Sequence, residues 1–581
     1  MESIIQVLHS HAATRTDSAA VMDKEGILTY GELDSRSAWV AEYILDTCAK
    51  NGVDVRALRA EGGNGARIGL LLPRSREYET ALLAVIRAGC AAVPMEPDYP
   101  QGRVHTILED SDCALCLTTA GLKDKVDNTP VLILEDVLEA LSGQTADTAL
   151  DLSDPQIEGI IFFTSGTTGK PKGVIHRQFV FSNVRDIFND FYVFSEKDVI
   201  LFIAGVTFIA SVTDLMLPLR MGGEVYFADD TERRNPGLLY NIILEKHVTG
   251  MFASPKLYSV LRESFGRLPL EYIALGGEKA ALNYPEDDNV FEVYGSSESL
   301  PVLGRRINEK DEPGSVGRPL VGVKACLLDE DGNKIEAEGV VGELCVVSPL
   351  LALGYNNLVE LTEKVFTECP FEPGERMYHT GDYMAWGRDG RLIFHGRKDR
   401  MIKLRGYRVE LGEIENAVQR AEGVKEAACV AVKVSGEDKL CCYYVGDTDD
   451  RKKLMSHASS LLPYYMVPDY MIRMESLPRN INDKVDYPKL AAMDIAVEDE
   501  DYKAPETETE RELHMIAAEL LNREDFGVTT NLMTMGFSSI TVMRLITILD
   551  ERLNLKVTPR EVIKNPNIRA LAGYIDSKKK E

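Results

Sequence analysis

The chain has 581 residues, too many for one hydrophobic core, so two to four domains are expected. Its 65 Lys and Arg against 92 Asp and Glu leave a formal charge of −27, which argues against nucleic acid or an anionic membrane as partner and fits a soluble small-molecule enzyme. The first residues, MESIIQVLHSHAATRTDS, show no basic-then-apolar leader, and no apolar run approaches the ~20 residues of a membrane span, so the expected location is the cytoplasm.

In chain order, apolar runs such as IGLLL at 68–72 read as strands and alternate with helical stretches such as residues 78–88; GMFA at 250–253 repeats the strand pattern. That alternation predicts α/β layers. Cys113 and Cys116 form a CxxC inside DCALCLTT, which reads as a short buried strand. With no second CxxC and no HExxH pattern, the ten cysteines are expected to be reduced core thiols and no protein-caged metal is expected. Adjacent Cys441 and Cys442 fall in another strand-like run, CCYYV. After Gly396 a smaller mixed unit ends near Ala496, and VEDED at 497–501 leads into KAP at 503–505 as a linker. Beyond it, TETE at 507–510 is a capping box opening a helix through Leu521, and apolar periodicity as far as Ile575 predicts a small helical bundle.

The stretch richest in chemistry is TSGTTGKPKG at 164–173, directly after the strand-like GIIFF at 159–163. Gly166 and Gly169 let backbone N–H groups turn toward one anion, Thr164, Ser165, Thr167 and Thr168 add hydroxyl donors, and Lys170 and Lys172 add positive charge. A Walker A loop needs Ser or Thr after its lysine, whereas Pro171 follows Lys170. Taken alone, a Gly/Ser/Thr-rich surface loop would read the same way.

Further segments follow in a fixed order. They are LTYGELDSRS at 28–37, GCAAVPMEPDYPQGR at 89–103, VYGSSES at 293–299, GELCVVSPLLALGY at 342–355, YHTGD at 378–382, GRKDRMIKLRGYRVELGEIE at 396–415, LPYYMVP at 462–468 and NDKVD at 482–486. With these the chain resembles the adenylate-forming (acyl/aryl-CoA synthetase-like) superfamily, and within it a nonribosomal peptide synthetase adenylation domain fused to a peptidyl carrier protein. The resemblance implies a large layered α/β core over 1–396 and a small mobile α+β subdomain over 397–496. A linker over 497–506 and an all-α four-helix carrier over 507–581 would follow. It also implies ATP-dependent adenylation of a carboxylic acid with release of pyrophosphate, then thioester transfer to a 4′-phosphopantetheine arm.

By the same resemblance, residues 164–172 cradle the β- and γ-phosphates and Glu298 coordinates Mg²⁺. Tyr294 stacks on adenine, near Gly277, Val293, Gly295, Ser296 and Ser297. Asp382 and Arg397 hold the ribose. Lys484 is the principal catalytic residue, although Asp483 stands where the family usually has Gly. Asp399 is the hinge of the small subdomain, and Lys403 and Gly406 line a tunnel for the pantetheine thiol. In MGFSSITVMRL, Ser539 precedes an apolar residue and is the expected attachment site; Ser538 or Ser539 as a plain helix N-cap is the other reading. Phe537 and Ser538 depart from the family's usual Gly and His or Asp. A phosphopantetheinyl transferase would load the arm, and a condensation, reductase or other tailoring enzyme acting in trans would take the thioester.

Substrate choice is where the chain leaves the common pattern. Amino-acid-activating relatives place an Asp after the Phe of a motif like FDxS to pair with the α-ammonium, whereas this chain reads Phe208-Ile209-Ala210-Ser211. An ammonium buried against Ile209 would be unpaired, at roughly 3–5 kcal/mol. The remaining pocket positions by this alignment are Thr213, Phe252, Ala274, Gly276, Val293, Pro301 and Val302, mostly apolar and several small. An aryl, branched or medium-chain alkyl, or α-keto acid is expected. Three alternatives stand beside it: an amino acid held by a shifted residue, an acyl-CoA ligase using free coenzyme A, and a catalytically silent scaffold presenting its carrier.

Overall fold

Residues 68–71 are apolar without alternation, the pattern of a strand covered on both faces. They lie in the parallel strand Arg67–Leu71, between Ala91–Met95 and Leu115–Thr118. Helix Arg76–Arg87 makes the crossover between the first two, with residues 78–87 all buried. The structure, a computed structural model, describes all residues except 1, 142–145, 165–170, 185–187, 189, 278–287, 308–313, 398–399, 405–406, 435–436, 480–484, 494–502, 522–525, 531, 533–536, 538–540, 543, 547, 550–554, 556, 558–560, 563–564 and 579–581.

Two compact units divide the chain: Met1–Glu413 with Ser459–Tyr465, and Ile414–Ala458 with Met466–Glu581. Among the described residues the first holds a 7-stranded and a 15-stranded sheet. The smaller sheet runs Gly354–Tyr355, Lys172–Arg177, Glu158–Thr164, Ala91–Met95, Arg67–Leu71, Leu115–Thr118, Val131–Ile133. In the larger, Ala19–Asp23, Glu224–Phe227, Val199–Phe202, Gly250–Ala253, Tyr272–Leu275 and Val290–Ser296 are parallel neighbours. From Leu300–Arg306 onward pairing turns antiparallel, through Ser315–Pro319, Leu392–Arg397, Arg376–Trp386, Val341–Val347 and Lys324–Leu328. The layered α/β expectation holds.

In the second unit, Val424–Val434, Glu437–Gly446 and Tyr470–Arg473 form a three-stranded sheet. The expected capping box is present: Thr507 and Glu510 exchange backbone-to-side-chain bonds of 3.1 and 3.2 Å at the start of helix Glu508–Leu521. That helix packs with Ile568–Lys578 around Leu513, Ile516, Phe526, Leu571 and Ile575. All ten cysteines are free thiols. Among the described residues no helix is long and apolar enough to cross a membrane, and no group of three or more His, Cys, Asp or Glu is arranged for a metal.

Candidate active site

The hairpin that brackets the phosphate-loop candidate places Thr164 opposite Lys172. Residues Ser165, Gly166, Thr167, Thr168, Gly169 and Lys170 lie outside the described residues, as do Asp399, Gly406, Lys484 and Ser539. Thr164 Oγ1 is buried and has no hydrogen-bond partner among the described residues. Lys172 is buried with its Nζ 5.1 Å over the Tyr355 ring and 4.0 Å from Glu410 Oε1.

Glu298 is fully buried in the turn between Val290–Ser296 and Leu300–Arg306. Arg408 Nη1 donates to both of its oxygens at 2.9 and 2.7 Å, and the Tyr355 hydroxyl donates to Oε1 at 2.9 Å. Burial alone would raise this carboxyl, but Arg408, Lys172 and Tyr355 outweigh it and hold it at about 2. An ionised carboxylate is the hard oxygen donor a magnesium ion takes. Here a guanidinium sits on it, so a cation taken up at Glu298 would have to displace or share the Arg408 contact. Behind the same turn His176, which burial lowers to about 4, is neutral and donates from Nε2 to the Ser297 carbonyl at 2.6 Å. Ser296 Oγ reaches Ser299 Oγ at 3.2 Å and the Tyr378 hydroxyl at 3.4 Å. A Cβ on Gly295 would stand 2.2 Å from the Leu300 carbonyl, so the turn requires glycine there.

Asp382 and Arg397 face each other across adjacent strands and form an ion pair. Burial pushes the Asp382 carboxyl up, against the pull of Arg397. The Tyr294 hydroxyl donates to Asp382, and Lys403 Nζ lies 5.3 Å over the Tyr294 ring. Tyr294, Asp382, Arg397 and Lys403 thus lie together, the first three being the positions the resemblance implies for the nucleoside and Lys403 the one it implies for the pantetheine path. Gly277, at φ +83°, ends the strand side of this region.

Of the expected pocket positions, Phe252, Ala274 and Val293 lie on neighbouring parallel strands and belong with Ile209 to one hydrophobic core, whereas Val302 belongs to a separate one with Leu344, Tyr355 and Leu392. Phe252 stands opposite Ala274, its ring 6.1 Å from that of Phe208. A Cβ on Gly276 would come within 2.9 Å of the Phe252 ring and 3.1 Å of the Val293 carbonyl. Pro301 and Val302 follow on the strand paired with Val293 and Tyr294. Ile209, 7% exposed, precedes helix Ala210–Met221 and shares one packed cluster with Ala274, Val293 and Phe252. The Thr213 hydroxyl donates to the Ala210 carbonyl at 2.8 Å and is consumed within the helix. Arg408, Tyr355, Tyr378 and His176 were not singled out from sequence; Arg408 acts across 110 residues, a distance over which no local pattern signals a partner.

A family model described as AMP-binding enzyme matches residues 8–356, a second, AMP-binding enzyme C-terminal domain, matches 413–484, and a third, phosphopantetheine attachment site, matches 511–575. Among curated relatives, tyrocidine synthase 3 of Brevibacillus parabrevis is 32% identical over 100% of this chain, and gramicidin S synthase 2 of Aneurinibacillus migulanus 34% over 90%. The chain spans only 9% and 12% of those proteins. Holo-PA1221, a nonribosomal peptide synthetase protein containing adenylation and carrier domains, is 22% identical with a TM-score of 0.79, covering 99% of this chain and 96% of its own. The fused NpsA-ThdA didomain from Klebsiella oxytoca is 19% identical with a TM-score of 0.71, covering 99% of each. These two likenesses concern the fold. ATP with magnesium and a covalent 4′-phosphopantetheine are the cofactors of this domain pair. The chain belongs to the family of AMP-binding enzymes, as an adenylation region joined to a phosphopantetheine attachment domain.

Proposed function

We propose that this enzyme, an AMP-forming acid–thiol ligase, activates a carboxylic acid with an apolar body and no α-amine, and passes it to the arm on its own Ser539. The observation that carries the substrate class is Ile209: buried and apolar, within the same hydrophobic core as Ala274 and Val293, where an ammonium would need a carboxylate. Residues 164–170 and Lys172 are assigned to the phosphates, and Thr164, whose hydroxyl has no partner among the described residues, supports that placement. Tyr294, Gly277, Val293, Gly295, Ser296 and Ser297 are assigned to adenine, Asp382 and Arg397 to the ribose, and Glu298 to magnesium, which when bound supplies positive charge to phosphate oxygens. Lys484 is assigned to the transition state for adenylation, Lys403 and Gly406 to the thiol path, and Asp399 to the hinge. The division at 396, 496 and 506 and a cytoplasmic location belong to the same reading, as do a phosphopantetheinyl transferase and a downstream condensation, reductase or tailoring enzyme.

A second reading, an acid bearing a displaced amine, draws on Asp214. It lies one turn beyond Ala210 on the same helix face, buried, with Oδ2 lacking any partner. Burial drives its carboxyl well up, so it offers a neutral hydrogen-bonding group rather than the charge an ammonium needs, and the first reading stands ahead. The deciding experiment is intact-protein mass measurement. Pantetheinylated protein is incubated with ATP, magnesium and a pool of acids with and without amines, and the mass of the thioester formed identifies the class. A thioester of a standard α-amino acid would refute the proposal.

A further inference from the structure

The large sheet carries a row of side chains that the ligation chemistry leaves unused. Strands Lys324–Leu328, Val341–Val347 and Arg376–Trp386 set Cys326 opposite Cys345 and Cys345 opposite His379. Residues facing each other across antiparallel strands have Cα atoms about 4.5–5.5 Å apart, inside the roughly 4.4–6.8 Å that a disulfide spans. The backbone therefore already suits a bond between the two sulfurs. Cys326 Sγ lies 3.7 Å from the Cys345 carbonyl oxygen and 3.8 Å from Met377 Sδ. Cys345 Sγ is 3.3 Å from His379 Nδ1, and His379 Nε2 is 3.1 Å from Thr367 Oγ1. A thiol with an imidazole in reach, itself oriented by a third group, is the arrangement that activates sulfur.

Access distinguishes the two sulfurs. Cys345 is fully buried, whereas Cys326 is 8% exposed and meets a small oxidant first. The neighbouring Cys345 sulfur also holds Cys326 below the ordinary thiol range, and that proximity together with burial pushes Cys345 above it. Thiolate is the nucleophilic form.

We infer that Cys326 and Cys345 form a hydroperoxide-sensitive dithiol, with Cys326 as the attacking sulfur and Cys345 as the resolving one. Cys326 sulfur attacks the O–O bond of a hydroperoxide. The S–O bond forms, the O–O bond breaks, and the released alkoxide or hydroxide takes up the Cys326 proton, leaving a sulfenic acid. Cys345 Sγ then attacks that sulfur, its proton passes to His379 Nδ1, and the displaced hydroxide leaves with that proton as water. The thiols give up two electrons, the hydroperoxide accepts them, and one disulfide remains. The bond would tie Lys324–Leu328 to Val341–Val347, the strand that pairs with the one carrying Asp382 and is already held to it through the Thr380 hydroxyl on the Leu344 carbonyl at 2.8 Å.

Cys429 and Cys442 also stand opposite one another, but both are fully buried, so they provide an internal comparison. Full-length protein is exposed to hydrogen peroxide, the remaining thiols are alkylated in denaturant, and peptides are mapped without reduction. The expected product is a peptide pair joined through Cys326 and Cys345, reversed by dithiothreitol, at about ten-fold lower peroxide than any loss of the Cys429 and Cys442 thiols. Cys326→Ser should abolish the link and Cys369→Ser should leave it. Full alkylation of both cysteines as thiols, a link through Cys369 instead, or equal loss of the Cys429 and Cys442 thiols would overturn the inference. Because the wild-type map carries these outcomes, a poorly folding variant does not blunt the test.

Discussion

A buried isoleucine and a bidentate arginine make opposite demands on what enters this site. At Ile209 the wall is apolar, so acids lacking an α-amine should be preferred over the matching α-amino acids by about two decades, following the ~3–5 kcal/mol of an unpaired buried charge. Ile209→Asp should narrow or reverse that preference, since the new carboxylate can pair with the ammonium but faces the native acid's apolar carbon. Acid-dependent pyrophosphate exchange with phenylpropanoate against phenylalanine, and 4-methylpentanoate against leucine, reads the ratio; wild-type turnover of an α-amino acid above its des-amino partner contradicts the assignment. Arg408 sits on the carboxylate assigned to magnesium. Arg408→Ala should lower the magnesium concentration for half-maximal exchange several-fold and slow thioester loading, because the arrangement with Glu298 capped loses its charge partner. An unchanged magnesium requirement would separate Arg408 from the metal. Glu298 itself was legible, since VYGSSES carries it; its occupant was not, because the pair joins residues 110 apart.

Helix Arg76–Arg87 shows how an element can be predicted while what covers it is not. Residues 78–88 read as a helix from periodicity and are helical to Arg87, and IGLLL at 68–72 reads as the strand found at Arg67–Leu71. Glu79 is in the first turn of that helix, where acids generally suit the helix dipole. It is instead 1% exposed with Oε2 unpartnered, because the helix is covered by Tyr30–Lys50 as well as by the sheet, and tertiary covering leaves no mark in a local pattern. Burial raises its carboxyl to about 8 from 4.5. The folded state therefore keeps a proton that the unfolded chain releases between those values, and stability falls as pH rises through that window. The loss approaches the order of 4 kcal/mol at pH 8. Glu79→Gln should remove this slope, so that the thermal midpoint of the variant gains on wild type between pH 5 and pH 8. A constant difference between the two would mean that Glu79 is ionised in the fold. The capping box at Thr507 and Glu510 was legible for the opposite reason, being local, whereas the Arg569 guanidinium that also bonds Glu510 at 2.8 Å comes from 59 residues away and left no local mark.

At the scale of the whole chain, the order of motifs made the domain plan readable, while the sides of the site contributed by residues 165–170, Asp399, Gly406, Lys484 and Ser539 rest on resemblance. The plan itself can be tested by dividing its labour between two chains. Lys484→Ala should form adenylate at less than about a tenth of the wild-type rate, since one lost transition-state charge contact is worth about 3 kcal/mol; its carrier serine is intact. Ser539→Ala should form adenylate normally and accept no arm. Ser539→Ala alone should carry no thioester, and Lys484→Ala alone should load only at its residual adenylation rate, which is subtracted from the mixture. Mixed together, with the Lys484→Ala carrier pantetheinylated, the second chain can load only a carrier that arrives by diffusion. A tethered carrier meets its own site at an effective concentration of about millimolar. At micromolar protein the mixture should then load about a thousand-fold more slowly than wild type, and its rate should rise in proportion to the concentration of the Lys484→Ala chain. Dithiothreitol-released acyl groups, followed over time by intact-protein mass measurement, give both rates. Loading of the mixture at the wild-type rate would mean that the linker over 497–506 does not deliver the carrier to its own adenylation region, and loading by Lys484→Ala alone at more than about a tenth of the wild-type rate would remove the lysine from its assigned role.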